Sequence, residues 1–325
     1  MNALFTSAGR RVELLRAFRR AYQELGMGGT IVAVDADPLA PALRVADEAR
    51  VVPRITDRGY VPALVAACRA YAIDLVFPLV DPDIPVLAAA CPELESTGAR
   101  VVTVSERAAR IAADKFLTAR FLADLAVPAP ATWSPADIPA AVAFPVIVKP
   151  RLGSAGKGVF EALDRRQLEF FLSYVDRPVV QERLPGPEIT SDVVCDLQGN
   201  VMAVVSRRRI EVRAGEVAKG VTVHDPEIAD HCVAIAKGLE AIGPINVQCI
   251  LRDGRPYFTE VNARFGGGIP LAIAAGVDAP RWLLAVASGR TFQPPPLGTY
   301  LEGLHITRFD DSFFLAEGEP PGGSS

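Results

Sequence analysis

Short apolar runs alternate with amphipathic helical segments along the first third of the chain, and this alternation constrains the fold more than any other feature. The apolar runs, rich in Val, Ile and Phe, occupy residues 2–6, 30–35, 49–52, 75–80 and 100–104. Between them lie helical patterns such as 11–25 and 61–71, in which apolar residues recur at spacings of three and four. Such alternation predicts a doubly wound parallel sheet with helices on both faces. We assign this α/β domain to residues 1–110.

The pattern changes in the rest of the chain. We predict one helix over residues 107–125, then paired strands around a Gly-rich loop, then long strands joined by hairpin turns. Helical patterns return at 226–242 and 269–288. The expectation is therefore an α+β region made of two subdomains, 111–185 and 186–315. The tail 316–325 is polar and turn-rich, and we predict that it is disordered.

Composition and charge exclude several classes of function. The chain has 34 Lys and Arg against 38 Asp and Glu, a net charge of −4, so no basic field favours nucleic acid or anionic lipid. The longest apolar stretch, 140–148, falls far short of the roughly 20 residues that a membrane span needs. The first residues predict a strand and lack the basic region and apolar stretch of a signal peptide. The five cysteines form no C-x-x-C pair, which favours reduced thiols in a cytoplasmic protein.

A glycine-rich loop follows a buried strand that ends in Lys149. The loop, residues 153–158, reads Gly-Ser-Ala-Gly-Lys-Gly. Glycines allow backbone amides to point at one phosphate, and Lys149 and Lys157 supply positive charge. A Walker loop is excluded because Gly158 stands where Ser or Thr is needed, and the strand–helix turn at 7–10 lacks the dinucleotide fingerprint. A flexible hairpin loop remains the alternative.

Acidic residues alternate with apolar ones on the strand that follows a Pro-Gly linker. The alternation places Glu188, Thr190, Asp192 and Asp196 on one face of this strand. A carboxylate directly after a linker is well placed to hold a ribose diol. A solvated acidic face is the alternative, and it is favoured when this strand is considered alone.

The strongest local motif is a hairpin around Asp253-Gly254. A three-residue loop, 253–255, pairs Gln248 with Glu260 and separates polar from apolar side chains. The apolar face then holds Val247, Cys249, Leu251, Tyr257, Thr259 and Val261. The opposite face holds Asn246, Gln248, Glu260 and Asn262 at one end, with Ile250 and Phe258 nearer the turn. Several oxygen ligands with a single carboxylate suit Mg²⁺, whereas a hydrogen-bonded polar face is the alternative.

Together and in this order, the motifs resemble the ATP-grasp superfamily. They are most similar to single-unit relatives of the carbamoyl phosphate synthetase large subunit, which include the pyrrolysine-pathway ligase and other amino-acid ligases. The resemblance covers residues 115–264, and the Rossmann-like domain before it resembles the domain that usually precedes the ATP-grasp fold.

The resemblance implies a role for each motif residue. The phosphate-binding lysines would be Lys115 and Lys149, under a mobile loop that includes Gly153, Ser154, Gly156 and Gly158. The adenine linker would be Gln181, Glu182 and Leu184, and the ribose carboxylate Glu188. The metal ligands would be Gln248, Glu260 and Asn262. Arg264 would steady the transferring phosphate, so that Arg264 and Lys149 would be the catalytic residues.

The activity implied by the resemblance is that of an ATP-dependent ligase. It activates a carboxylate, of an amino acid or small peptide, as an acyl phosphate and joins it to an amine, with ATP and Mg²⁺, or Mn²⁺ in its place, as cofactors. Two alternatives remain: phosphorylation of bicarbonate, as in carbamoyl phosphate synthesis, and a nucleotide-binding regulatory module without turnover. The expected partners are a small carboxylate and an amine, and a homodimer is compatible with the resemblance. We place the substrate pocket between residues 6–11, 79–83 and 207–213, with one or two of the arginines at 207–209 facing an anion.

Overall fold

The computed structural model describes residues 1–153, 156–213 and 215–316. Its N-terminal part is a parallel five-stranded sheet with the order β3-β2-β1-β4-β5. The strands are β1 (Ala3–Thr6), β2 (Ile31–Asp35), β3 (Glu48–Val51), β4 (Leu75–Pro78) and β5 (Arg100–Val101). The helices are α1 (Val12–Glu24), a 3-10 helix (Pro41–Arg44), α2 (Tyr60–Ala70) and α3 (Asp83–Glu95). The predicted doubly wound parallel sheet is confirmed.

Two antiparallel sheets follow, which confirms the predicted α+β character of the remaining chain. The smaller has the order β6-β9-β7-β8, and the larger has the order β14-β13-β10-β11-β12-β15. The strands of the smaller sheet are β6 (Thr132–Trp133), β7 (Val146–Pro150), β8 (Phe160–Ala162) and β9 (Pro178–Glu182). The strands of the larger sheet are β10 (Glu188–Cys195), β11 (Val201–Arg213), β12 (Glu216–Val223), β13 (Pro244–Arg252), β14 (Arg255–Asn262) and β15 (His305–Thr307). The helices of this part are α4 (Glu106–Ala113), α5 (Lys115–Asp124), α6 (Arg165–Tyr174), α7 (Pro226–Gly238), α8 (Ile269–Ala274) and α9 (Ala279–Ala287). The domain boundaries at residues 110 and 185 stay predictions.

Aromatic packing joins the parallel sheet to the larger antiparallel sheet. Phe18 of α1 packs on Phe5 and Phe77, with ring centroids 4.8 and 5.2 Å away. Phe265, which follows β14, lies 5.9 Å from both Phe18 and Phe77. All four rings are buried, so they anchor the chain after β14 in the N-terminal core. This contact fixes the position of the neighbouring residue, Arg264.

The helix predicted over 107–125 is wrong in one respect, because it is two helices. Asp114 has extended backbone angles, φ −111° and ψ 109°, and separates α4 from α5. Its carboxylate accepts hydrogen bonds from the backbone N–H groups of Phe116 and Leu117, which caps α5. The same carboxylate binds Arg151 Nε at 2.6 Å. The break therefore places Lys115 beside the chain that leads into the glycine loop. The helical region predicted over 269–288 is likewise divided, into α8 and α9.

The hairpin of β13 and β14 pairs Gln248 with Glu260 as predicted, but its loop length and register differ from the prediction. The loop has two residues rather than three, because Arg252 pairs with Arg255. A bulge next to Gln248 then shifts the register by one residue and restores the predicted pair. Beyond the bulge the two faces of β14 are reversed relative to the prediction, whereas those of β13 are as predicted. Phe258 lies in the core beside Cys249, whereas Tyr257 is only partly buried.

Three further predictions concern Asp196, the C-terminal tail and membrane-spanning segments. Asp196, predicted on the acidic face of β10, lies after that strand, where its carboxylate accepts hydrogen bonds from the backbone of Gln198 and Asn200. The predicted disordered tail lies outside the described residues from 317 onward. Across the described ranges, none of the helices combines the length and apolarity needed to cross a membrane.

Candidate active site

Polar side chains form a row across one face of the larger sheet. Strand pairing places Glu260 opposite Gln248, Gln248 opposite Thr190, and Thr190 opposite Arg207. A second row places Asn262 opposite Asn246 and Asn246 opposite Asp192. The structure therefore brings the three predicted metal ligands to one end of one sheet face. Their role as ligands stays a proposal.

A cluster of oxygen-bearing side chains forms where this face meets the end of β4. One terminal amide atom of Asn262 lies 2.9 Å from Asp81 Oδ1 and 3.1 Å from Glu260 Oε1. With nitrogen in that position, Asn262 donates hydrogen bonds to both carboxylates. With oxygen in that position, three oxygens converge at about the 3 Å spacing of adjacent ligands around an octahedral Mg²⁺. The donor set therefore fits magnesium, and Asp81 places a second carboxylate beside it.

The sequence did not single out Asp81, although the range 79–83 contains it. It lies just beyond β4, at the carboxyl end of a parallel strand, which is where ligands bind in open α/β sheets. That position is the signal from which it was predictable. Asp81 Oδ2 also accepts a hydrogen bond from Arg264 Nη2 at 2.6 Å. Asp81 thus links the metal-ligand candidates to the arginine predicted to contact the transferring phosphate.

A cavity of about 300 Å³ lies between the two antiparallel sheets. We name it the lysine cavity, and the polar and glycine residues that line it are Lys115, Lys149, Gly153, Gly156, Lys157, Gln181, Glu188, Thr259 and Glu260. Ile147, Val159 and Ile250 add apolar walls. Three lysines and two glycines beside an apolar slot match the needs of a nucleotide, whose phosphates are charged and whose base is flat and largely apolar.

Lys149 is partly buried and lines the lysine cavity. Its ammonium group donates a hydrogen bond to Gln181 Oε1 at 2.8 Å. Burial lowers the pKa of Lys149 to about 8, Glu260 opposes this effect, and Lys115 adds to it. Lys115 donates a hydrogen bond to the carbonyl oxygen of Gly153 at 2.6 Å. Both predicted phosphate lysines therefore reach the same cavity.

The described glycines of the loop lie at or beside this cavity. Gly153, Gly156 and Gly158 have φ values of 136°, 68° and 71°, a backbone region that disfavours other residues. Gly153 and Gly156 line the cavity, whereas Gly158 packs against Pro150. Ser154, predicted as a loop residue that contacts phosphate, lies outside the described residues.

The three residues predicted to read adenine have different surroundings. Gln181 lines the lysine cavity, and its amide nitrogen donates a hydrogen bond to Thr132 Oγ1 at 2.8 Å. Glu182 accepts a hydrogen bond from Arg252 Nη1 at 2.9 Å, and its backbone N–H donates to Ala131. Leu184 is buried. Neither Glu182 nor Leu184 is among the described residues that line the cavity, so their contact with adenine stays a prediction.

A second cavity, of about 160 Å³, is lined by Gln248 and Asn246 of the same sheet face. We name it the arginine cavity, and its charged lining residues are Arg11, Asp81, Arg207, Arg209, Glu216 and Arg264. It lies between the three segments in which we predicted a substrate pocket. Arg207 and Arg209 face it, whereas Arg208 is exposed and Arg213 pairs with Asp310.

Two ion pairs shape the arginine cavity. Arg11 approaches Glu216 at 3.5 Å, and burial lowers the pKa of this arginine to about 10 although Glu216 acts to raise it. Arg209 pairs with Glu188, the predicted ribose carboxylate. Glu188 lines the lysine cavity, so this pair connects the two cavities. Glu216 had no sequence signal, because its strand, β12, carries no motif.

The chain combines a parallel sheet and two antiparallel sheets with a lysine cavity and a mixed amide and carboxylate cluster, and two family models match it. They are the PylC-like N-terminal domain over residues 3–102, and "ATP-grasp in the biosynthetic pathway with Ter operon" over residues 175–309. The chain therefore carries a PylC-like N-terminal domain and an ATP-grasp domain over these residues. The resemblance drawn from the sequence motifs is confirmed.

Similar proteins agree with this assignment. The large chain of carbamoyl phosphate synthase from Archaeoglobus fulgidus is 26% identical over 238 residues, which are 66% of this chain and 22% of that protein. The chain thus spans about a fifth of this curated relative. An L-amino acid ligase from Bacillus licheniformis has a TM-score of 0.69 at 21% identity, covering 88% of this chain and 73% of the other. An N5-carboxyaminoimidazole synthetase from Staphylococcus aureus, complexed with ADP, has a TM-score of 0.71 at 17% identity, covering 91% and 79%. At these identities, the two structures show a common fold.

Proposed function

We propose that this protein is an ATP-dependent carboxylate–amine ligase that acts on an amino acid or small peptide. The observation that carries the proposal is the position of the oxygen cluster of Asp81, Glu260 and Asn262. Among the described residues, the lysine cavity and the arginine cavity share no lining residue, yet each reaches this cluster. A nucleotide in the first and a carboxylate in the second would meet at these residues.

In the proposed reaction, a carboxylate oxygen of the acid attacks the γ-phosphorus of ATP. The bond to the bridging oxygen breaks, ADP leaves, and an acyl phosphate forms. An amine then attacks the acyl carbon, forms an amide, loses a proton and releases phosphate. Because the transferring phosphoryl group needs little covalent help, the protein contributes position and charge.

The position of each residue in the site indicates which part of the reaction it supports. Lys115 and Lys149 hold the phosphates in the lysine cavity, and Arg264, held by Asp81 and by the packing of Phe265, offsets charge on the transferring group. Gln248, Glu260 and Asn262 would hold magnesium, which would neutralise part of the charge of the phosphates. Gly153 and Gly156 line the cavity, where they would limit access of water to the acyl phosphate.

ADP release in the presence of Mg²⁺ tests the proposal. The full chain is incubated with ATP and with single amino acids, dipeptides or bicarbonate, and hydroxylamine traps any acyl phosphate. We expect release with an amino acid or dipeptide in the wild type and in Arg208→Gln, whose side chain is exposed, and none in Glu260→Ala. Release with bicarbonate alone would replace this function with carbamoyl-phosphate chemistry. Nucleotide binding without ADP release across the panel would favour a regulatory module, and near-normal release from Glu260→Ala would contradict the metal assignment.

A further inference from the structure

Four arginines converge on the arginine cavity, and each of them is paired with a carboxylate. The pairs are Arg11 with Glu216, Arg207 with Asp192, Arg209 with Glu188, and Arg264 with Asp81. Glu216 is further shared with Arg308, at 3.0 Å. We propose that the acid activated at this site carries a second anionic group, a carboxylate or a phosphate, which binds Arg207 and Arg209. This inference rests on the proposed ligase function and names its class of substrate.

Arg207 provides the most specific observation. Its side chain is only 4% exposed, and Nη1 binds the buried carboxylate of Asp192. Its Nε has no hydrogen-bond partner anywhere in the described part of the chain, and neither does the hydroxyl of the adjacent Thr190, which lines the same cavity. Buried polar groups in folded proteins nearly always have a partner. A ligand with acceptor oxygens would supply one to both groups.

The glycines after Arg264 make room for this arrangement. A Cβ atom on Gly268 would lie 2.4 Å from Arg207 Nε and 2.5 Å from its Cζ. A Cβ atom on Gly266 would lie 2.4 Å from Asp192 Oδ1. Any side chain at these two positions would therefore displace the Asp192–Arg207 pair. The requirement for glycine here comes from the space that the guanidinium group needs.

The position of Arg207 separates it from the nucleotide. Lys115, Lys149 and Lys157 line the lysine cavity, and Arg207 does not. Arg207 lies two strands from Gln248, with Thr190 between them, and its guanidinium group reaches over the middle strand to Asp192. An acid whose reacting carboxylate lies at the metal ligands would extend over Thr190 to reach Arg207. The second anion is therefore placed at the far end of the acid.

Matched acid pairs test the proposal by binding, independently of turnover. Isothermal titration in the presence of ADP and Mg²⁺ compares aspartate with asparagine, glutamate with glutamine, and phosphoserine with serine. We expect the anionic member of at least one pair to bind about tenfold more tightly or better, as a charge-assisted hydrogen bond to a buried arginine allows. Tighter binding of aspartate or glutamate than of its amide identifies the second anionic group as a carboxylate. Tighter binding of phosphoserine than of serine identifies it as a phosphate. Equal binding within all three pairs would overturn the proposal.

ADP release with the same acids separates this inference from the ligase function. If anionic acids bind preferentially and none supports ADP release, the inference stands and the ligase function fails. If neutral members support ADP release with a kcat/KM equal to that of their anionic partners, the ligase function stands and the inference fails.

Variants test whether Arg207 is the residue that produces the preference for anionic acids. Replacing Arg207 alone would leave Asp192 buried without its partner, so the test variant combines Arg207→Met with Asp192→Asn. We expect it to bind the anionic and neutral members equally, and Gly268→Ala to reduce the preference by displacing the guanidinium group. Arg208→Gln, on the same strand but exposed, is the matched control and should retain the preference. Retention of the full preference in the folded double variant would overturn the assignment to Arg207.

Discussion

We predict that Lys149 makes nucleotide binding sensitive to pH in a range where most lysines stay charged. Its pKa is lowered to about 8, mainly by burial. At pH 7 about nine-tenths of the lysine is protonated, and at pH 9 about one-tenth. Only the protonated form attracts the phosphates. We therefore expect the affinity for ATP to fall about tenfold between pH 7 and pH 9 as the positive charge is lost.

Titration of ATP without Mg²⁺, by calorimetry at half-unit pH steps, measures this dependence directly. In Lys149→Arg the charge persists across the range, so the binding constant should vary much less with pH than in the wild type. Lys157→Met is the matched control: Lys157 lines the same cavity but is exposed, so its loss should weaken binding at every pH and leave the pH dependence in place. A wild-type affinity that is constant from pH 7 to pH 9, or an equal dependence in Lys149→Arg, would refute the reasoning.

Three further predictions concern the oxygen cluster and the hairpin that carries it. Glu260→Ala should abolish the strengthening of nucleotide binding by Mg²⁺, measured by titration with and without the ion; undiminished strengthening would exclude Glu260 as a ligand. Asp81→Asn should lower kcat roughly 10- to 100-fold with little change in the KM for ATP. The reason is that Arg264 loses its charged partner while the lysine cavity stays intact. An unchanged kcat would show that Asp81 does not position Arg264. Phe258→Ala should reduce the free energy of unfolding by about 3–5 kcal/mol and Tyr257→Ala by much less, because the bulge places Phe258 in the core. Denaturant unfolding of both variants checks this. A larger loss of stability in Tyr257→Ala than in Phe258→Ala would contradict the register.

Local pattern was sufficient for much of this fold. The apolar runs of the first third correspond to the parallel strands, and β1, β2 and β4 are apolar because they are buried on both faces. The pair of Gln248 and Glu260 was also predictable, because only that register separates polar from apolar side chains near the end of the hairpin. The bulge that produces it was not, since the same pairing follows from a longer loop. Nothing in the local pattern of residues 107–125 revealed the break at Asp114, whose partner Arg151 is distant in sequence.

The chemistry of the site divides in the same way. Residue types and spacing within single motifs identified the lysines, the glycine loop and the amide–carboxylate set on β13 and β14, because each motif lies on one strand, hairpin or loop. Tertiary structure alone placed Asp81 against Asn262 and Arg264, and Glu216 beside Arg11. It also left Arg207 buried beside Gly268 with an unpartnered Nε. These contacts join segments far apart in the chain, and a contact of that kind depends on how the parallel sheet docks on the larger sheet. Periodicity along one strand carries no information about that docking, which the packing of Phe265 between Phe18 and Phe77 sets.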